Sequence, residues 1–458
     1  MVYWRKYSMT RKMKDSGVEW IGYMNTCWKT MPLKFILKER RQKNSPIITK
    51  ERLSLSIGVG VTLYSEKTTN LDRFKDDVTQ YKVAYPNDLV INSMNVIVGA
   101  EGISNYLGCV SPAYYVMCSS NPQKFITKYY DYCFKTSTIQ KALFYLGKGI
   151  MAIDRGEGRV NTCRLKVSSY DLGRLEFPVP SVNEQHRIVE FLDNRCNKID
   201  QTIQKEKQVI EKLKEYKQSV ITEAVTKGLN PDVKMKDSGV EWIGEIPKHW
   251  KVEKLKHIFS FKKGLSITKD NLVEEGIKVI SYGQIHSKSN IGVCINDSLI
   301  RYVGEEYLET GKQSLVLRND FIFADTSEDL EGAGNYVYVG KNEEIFAGYH
   351  TIILTPIKDD IMSEWKYFAY LYKTDCWRSQ IRSRVSGIKL FSITQKILKQ
   401  TEVIVPDIKE QKEITDYLDK KCSSIDKLIS DKEKVIKKLT EYKKSLIYEC
   451  VTGKKEVQ

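Results

Sequence analysis

The chain has 458 residues, 41% hydrophobic and 29% charged, an ordinary composition for folded protein and a length that accommodates two to four domains. A formal charge of +15 points to a polyanionic partner, of which nucleic acid is the commonest. Ten cysteines without a C-x-x-C pair, and five histidines with none at ligand spacing from a cysteine, argue against zinc and against a disulfide framework.

Isolated thiols fit a reducing compartment, the charged start MVYWRKYSMTRKMKDSG lacks the apolar core of a signal peptide, and no apolar run is long enough to span a bilayer. A cytoplasmic protein without membrane contact is expected. In chain order, residues 1–31 hold a variable extension and the string MKDSGVEWIG, from Met13 to Gly22, which recurs unchanged from Met235 to Gly244 within 230–251. Trp28 answers Trp250, and Leu33 answers Leu255. Tyr23, Met24 and Asn25 stand where the second copy has E-I-P, which puts the turn of the first copy in question. Residues 32–178 and 252–404 do not align with each other by eye. Within them the alternation of Asp88–Asn92, Leu315–Leu317 and Tyr336–Val339 predicts strands, and 129–146 and 364–381 each read as a helix.

The segments 179–229 and 405–458 are a second, longer repeat. From Pro178 and from Ile404 they align without gaps over some 49 positions, about half of them identical. Ser181 with Glu184, and Asp407 with Glu410, form capping patterns, Gly228 and Gly453 supply stops, and neither interval holds a proline or internal glycine. About 45 residues at 1.5 Å each predict helices of roughly 65–70 Å. Each carries a coiled-coil stripe: Leu192, Cys196, Ile199, Ile203, Ile210, Leu213, Val220 and Ala224 in one, and Leu418, Cys422, Ile425, Ile429, Ile436, Leu439, Leu446 and Cys450 in the other.

The stripe breaks at Glu206 and Lys217, and at Lys432 and Lys443. Parallel packing would set Lys217 against Lys443. Antiparallel packing separates them and brings Glu206 near Lys432, so an antiparallel pair with that central contact is expected. Val209 and Tyr216 widen the stripe and leave open a shifted register that turns Lys217 outward. The expected architecture is α+β: two mixed modules separated by a long antiparallel two-helix coiled coil, with internal pseudo-twofold repetition. Two modules so held would touch one duplex at separate places, as symmetric dimers bind spaced half-sites. Deleting a heptad would shorten the rod by about 10.5 Å, or roughly three base pairs.

The segment VTKGLNPDVKMKDSGVEWIGEIPKHW, from Val225 to Trp250, resembles the junction between the halves of Type I restriction–modification specificity subunits. The P-x-x-x-E-Q starts at Pro180–Gln185 and Pro406–Gln411 and the LD…ID…L.EYK helices resemble the same family, in its order. The resemblance implies that each variable module is a target-recognition domain reading a few base pairs of double-stranded DNA. It also implies that the helices space these domains and dock two modification subunits. S-adenosylmethionine would belong to those partners, ATP and Mg2+ to translocating restriction subunits, and none of the three to this chain.

Two basic segments are candidate DNA contacts on composition alone: Lys148, Arg155 and Arg159 among glycines, and Arg378, Arg382, Arg384, Ser386 and Lys389. The family's loops add Asn92, Ser93, Asn95, Ser281, Tyr282, Gln284, Thr326, Ser327, Tyr349 and His350. His350 taken by itself reads as a histidine packed in an apolar strand, and Asp325, Glu328 and Asp329 as an acidic surface loop. Catalytic signatures are missing: Asn121-Pro122 is followed by Gln123 where a methyltransferase needs a second proline, and no G-x-x-x-x-G-K-[ST] loop or nuclease carboxylate–lysine cluster occurs. A non-catalytic chain without a metal site is therefore expected. The competing readings are a specificity subunit of a Type IIB-like bipartite system, a coiled-coil scaffold that binds only proteins, and a stand-alone methyltransferase.

Overall fold

The structure, a computed structural model, describes residues 12–67, 77–150, 164–357, 364–387 and 390–457. The chain forms two compact units, one of Met1–Glu206 with Glu433–Gln458 and the other of Lys207–Lys432. Each unit therefore holds one globular module and one half of each long helix.

The two long repeats are continuous helices, Val182–Lys227 and Ile408–Val451, of 46 and 44 residues. Their starts are capped: Ser181 Oγ accepts the Glu184 N–H at 3.3 Å, and Asp407 Oδ1 accepts the Glu410 N–H at 3.0 Å. The carboxylates of these two glutamates accept the indole N–H of Trp28 and of Trp250, each at 2.9 Å, and so tie each cap to a copy of the short repeat. At the other ends Gly228 and Gly453 take φ of 78° and 73°. A Cβ there would also lie 3.2 Å and 2.9 Å from the rings of Trp250 and Trp28, so the left-handed backbone favours glycine at both positions and the indole crowds any side chain, more tightly at Gly453.

Within each unit the helix halves run antiparallel. In the first, Ile188, Leu192, Cys196 and Ile199 share a core with Leu446, Ile447, Cys450 and Val451. In the second, Val220, Ile221, Ala224 and Val225 share one with Ile414, Leu418 and Cys422. Burial of each large aliphatic side chain contributes about 1.5–3 kcal/mol. The two lysines that interrupt the stripe face aspartates: Lys443 Nζ lies 2.6 Å from Asp200 in the first unit, and Lys217 Nζ 2.7 Å from Asp426 in the second. These pairs are equivalent under the duplication. Lys217 is only 18% exposed, whereas Val209 and Tyr216 lie on the outside, so the shifted register does not occur. Along the seam Ile210 and Ile425 are buried, and Ile203, Leu213, Ile429, Ile436 and Leu439 are half-buried. Glu206 and Lys432 are half-buried as well, one in each unit.

Each short repeat is a small antiparallel pair, Met13–Asp15 with Tyr23–Asn25 and Met235–Asp237 with Glu245–Pro247, in the same register. Gly17 and Gly22, like Gly239 and Gly244, hold φ between 62° and 73°. The replacement of E-I-P by Tyr23, Met24 and Asn25 thus leaves the turn unchanged, because the pairing uses backbone groups.

The two modules, unlike in sequence, are each built on a sheet of the same order. A four-stranded antiparallel sheet runs Leu37–Glu39, Tyr114–Ser119, Leu89–Asn92, Glu101–Ile103 in one, and Phe259–Lys263, Thr351–Pro356, Phe321–Ala324, Tyr336–Tyr338 in the other. Two helices follow each sheet: Thr127–Phe134 and Ser137–Leu146, then Trp365–Tyr372 and Asp375–Arg382. The single helices expected over 129–146 and 364–381 are therefore broken. Thr136 and Thr374 stop the first helix and cap the next, their hydroxyls accepting the Ile139 and Trp377 N–H. The second module adds a five-stranded sheet built on Ile277–Ile280 and Ile345–Ala347.

The modules are fixed to the long helices by the same contacts. Lys128 Nζ and Tyr132 Oη reach Asp193 at 2.6 and 2.7 Å, and Lys366 Nζ and Tyr370 Oη both reach Asp419 at 2.6 Å. Tyr129 Oη donates to the Val451 carbonyl at 2.8 Å, and Tyr367 Oη to that of Val225 at 3.0 Å. Gln185 and Gln411 accept the N–H groups of Ile126 and Glu364. Among the described residues no helix is long and apolar enough to cross a membrane.

Candidate nucleic-acid interface

One loop of the shared sheet is built differently in the two modules. It leaves Leu89–Asn92 and returns at Glu101–Ile103 in the first, and leaves Phe321–Ala324 and returns at Tyr336–Tyr338 in the second. Asn92, Ser93 and Asn95 begin the first loop, and Thr326 and Ser327 lie in the second. Two sets of candidates from sequences that do not align thus occupy corresponding positions.

In the second module three further segments reach this loop. The Tyr282 ring lies 5.6 Å from that of Tyr349 and 5.4 Å from that of His350, with His286 at 6.3 Å. His350 is not packed in a strand: it sits in the turn before Thr351–Pro356, at φ 55° and 58% exposed, with Nδ1 3.2 Å from Asp325 Oδ1. The strand begins one residue later, so the ring escapes the core. Ser281 and Gln284 cap the short helix Tyr282–Ile285, the Gln284 side chain accepting the Ser281 N–H at 2.8 Å; Ser281 is buried, and the pair serves this turn. Ser327 is buried too, its hydroxyl donating to the Asp329 carbonyl at 2.7 Å. Thr326, Tyr282, Tyr349 and His350 keep accessible surface.

The arginines are not free cations. Arg378 donates to the carbonyls of Glu331 at 2.9 Å and Ala333 at 3.4 Å and to Asn335 Oδ1. Burial and the neighbouring Arg382 push its pKa down to about 10. Arg382 donates to Asp375 at 2.9 Å and to the Glu331 carbonyl at 3.0 Å. Both hold the loop, whereas Arg384 and Ser386 lie exposed beyond the helix. A cleft of about 830 Å³ opens between Tyr282, His286, Lys288, the loop and these arginines. Another of about 600 Å³ is bordered by Lys263, Tyr349, His350, Ser392, Gln395 and Lys396. His286, Asn335, Gln395 and Lys396 carried no signal in the sequence, because segments far apart in the chain bring them here. Lys389 lies outside the described residues.

In the first module Asn92 and Ser93 are buried and serve the turn: Asn92 Oδ1 accepts the Met94 N–H at 3.1 Å, and Ser93 Oγ donates to the Ala113 carbonyl at 3.1 Å. Asn95, Met94 and Val98 are exposed. Lys148 is 84% exposed, 3.8 Å from Asp171, at the start of a strand Lys148–Ile150 paired with Arg164–Lys166. Arg155 and Arg159 lie outside the described residues. Gln140 occupies the place of Arg378: both loops close on a left-handed glycine, Gly99 or Gly334, at φ 84° and 90°. A Cβ on Gly99 would lie 3.0 Å from Gln140 Nε2, and one on Gly334 3.6 Å from Arg378 Nε.

His249, Asp407 and Glu410 bring ligand-type atoms within 4.8 Å of one another. They are joined at the helix cap, Glu410 lying 2.8 Å from His249 Nε2 and accepting the Trp250 indole. Such an arrangement is explained by capping.

A repeated frame with one divergent loop per copy defines a duplicated, two-module protein. Residues 247–438 match the family model described as Type I restriction modification DNA specificity domain. The Type I restriction enzyme MjaVIII specificity subunit of Methanocaldococcus jannaschii is 25% identical over 62% of this chain and 63% of that protein. The StySPI specificity subunit of Salmonella potsdam is 24% identical over 74% and 67%. The match to the first of these thus takes in somewhat less than two thirds of its length. A chain from a structural study of complex assembly and conformational transition of the type I R-M system superposes with a TM-score of 0.67 at 14% identity, covering 94% of this chain and 99% of that one. Over 247–438 the chain is thus similar to the Type I restriction modification DNA specificity domain, and beyond it to Type I specificity subunits.

Proposed function

We propose that the chain is the DNA-specificity subunit of a Type I restriction–modification complex. It is itself non-catalytic and reads a split target with one half-site per module. The carrying observation is the contrast between constant frame and divergent loop: anchoring contacts recur pair by pair, while the loop bearing Asn95 differs from the one bearing Thr326 in length, in exposed residues and in the helix residue beneath it. Exposed aromatic and polar groups on loops held by a rigid sheet suit base edges, and the basic surplus suits phosphates. Methyl transfer, with S-adenosylmethionine, and ATP- and Mg2+-dependent translocation and cleavage belong in this reading to two modification subunits and to restriction subunits, in the cytoplasm.

Mapping methylated adenines across the genome of cells with and without this gene, neighbouring partner genes intact, tests the proposal. A split motif that disappears with the gene is expected; a continuous motif, or none, refutes it. Removing one heptad from both long helices should change the tolerated gap by roughly three base pairs.

A further inference from the structure

The contacts around Asn335 admit only one direction of hydrogen bonding. Arginine donates and cannot accept, so the Asn335 atom facing Arg378 is the carbonyl oxygen and its other atom is the amide nitrogen. That nitrogen lies 2.9 Å from His286 Nδ1, which must therefore accept. His286 Nε2, 2.8 Å from the Thr326 carbonyl, must then carry the proton and donate. A chain of donors thus runs from helix Asp375–Arg382 through Asn335 and a neutral imidazole to the first residue of the strand Thr326–Ser327. It holds both ends of the loop 326–335 and borders the cleft beside Tyr282.

We infer that Arg378, Asn335 and His286 are positioning residues that set base discrimination in the half-site read by the second module. The inference rests on the functional reading above. Arg378 has bonds to the loop carbonyls of Glu331 and Ala333, so its cation acts through the loop's shape. The first module has Gln140 against Gly99 at the corresponding place, so the support is particular to each loop. Loosening a loop by removing one such bond relaxes preference at the bases it faces; a mismatch that wild type resists by about tenfold or more would be accepted nearly as well as the true site.

The test uses the full chain with its partner subunits in cells, reading adenine methylation at every occurrence of the split motif and its single-base variants. Asn335→Ala should degrade one half of the motif and leave the other intact, with the melting temperature of the purified complex little changed. Asn95→Ala, on the loop of the first module, marks the opposite half. His286→Gln, which keeps an N–H toward Thr326, should retain more of the preference than His286→Ala. If Asn335→Ala and His286→Ala leave both halves as selective as wild type, or alter the half that Asn95→Ala alters, the inference is overturned while the functional reading stands. If wild type confers no split motif, both fall. Should Asn335→Ala lower the melting temperature markedly, the Gln-versus-Ala contrast at His286 decides: equal selectivity of those two overturns the inference.

Discussion

Lys135 and Lys373 occupy the same place in the two modules, at the end of the helix that follows the sheet, and their surroundings push them in opposite directions. Burial works against the Lys135 ammonium, but the Asp131 carboxylate outweighs it and its pKa rises. Beside them Glu101 is buried, and burial together with the Asp131 charge pushes its carboxyl up to about 8. In the second module the corresponding groups are Tyr336 and Ala369, the tyrosine hydroxyl donating to the alanine carbonyl. Burial of the Lys373 ammonium, with the charges of Arg378 and Lys217 adding to it, lowers its pKa to about 8. The Asp, Gln and Tyr contacts that fix module to helix recur in the two copies; the support under the loop does not. Duplication has kept the anchoring and changed what the loop rests on.

The largest effect tests the equivalence of the frames. Trp28→Ala and Trp250→Ala each remove a fully buried indole and its hydrogen bond to a capping glutamate, and each should cost about 3–5 kcal/mol in denaturant melts. A gap between the two losses much above about 1 kcal/mol would show that the copies are not alike.

The pH response should separate the modules. Glu101 has a folded pKa above its unfolded value, so its contribution is complete below about 4.5 and is lost as pH rises through about 8. Glu101→Gln should then gain stability relative to wild type across that window, by roughly a few kcal/mol at its top. Lys373 has the reverse sign: its folded pKa lies below the unfolded 10.5, so its contribution is present above about 10.5 and is lost as pH falls through about 8. Lys373→Met should outlast wild type below about pH 8 and lose that advantage in alkali. Hydrogen exchange resolved on the two sheets is the measurement, and parallel responses of the two variants would abolish the contrast.

Smaller losses report on the anchors. Tyr129→Phe and Tyr367→Phe each strip a buried carbonyl of its donor and should cost about 1–3 kcal/mol, equally in both units. Smallest are the seam ion pairs. Double-mutant cycles on Asp200 with Lys443 and on Lys217 with Asp426 should give couplings of about 0.2–1 kcal/mol, weaker in high salt. The less exposed Lys217 pair is expected to be the stronger.

Much of the frame was legible because its signals are linear. A gapless repeat, a heptad stripe and a misplaced charge can be read along the chain, and Lys217 and Lys443 were sufficient to predict the antiparallel pairing found within each unit. Thr136 and Thr374, which break the expected helices, are capping residues whose neighbours still look helical. The candidate loops of the two modules fall at corresponding places, but burial was not legible: Asn92, Ser93, Ser281 and Ser327 have polar side chains suited to DNA, yet all four are buried, and Ser93 is bonded to the carbonyl of Ala113, 20 residues on.

By itself, the sequence determined the duplication, the lengths and direction of the long helices, and the kinship of the chain, because periodicity and identity survive in one dimension. Tertiary structure alone decided that two unalignable modules each build the same four-stranded sheet, that His350 faces solvent, and that Arg378 and Arg382 grip a loop. The physical reason is that a side chain's role depends on the partner it meets. Those of Arg378 lie some 43–47 positions away and are brought to it only when the sheet and helices close.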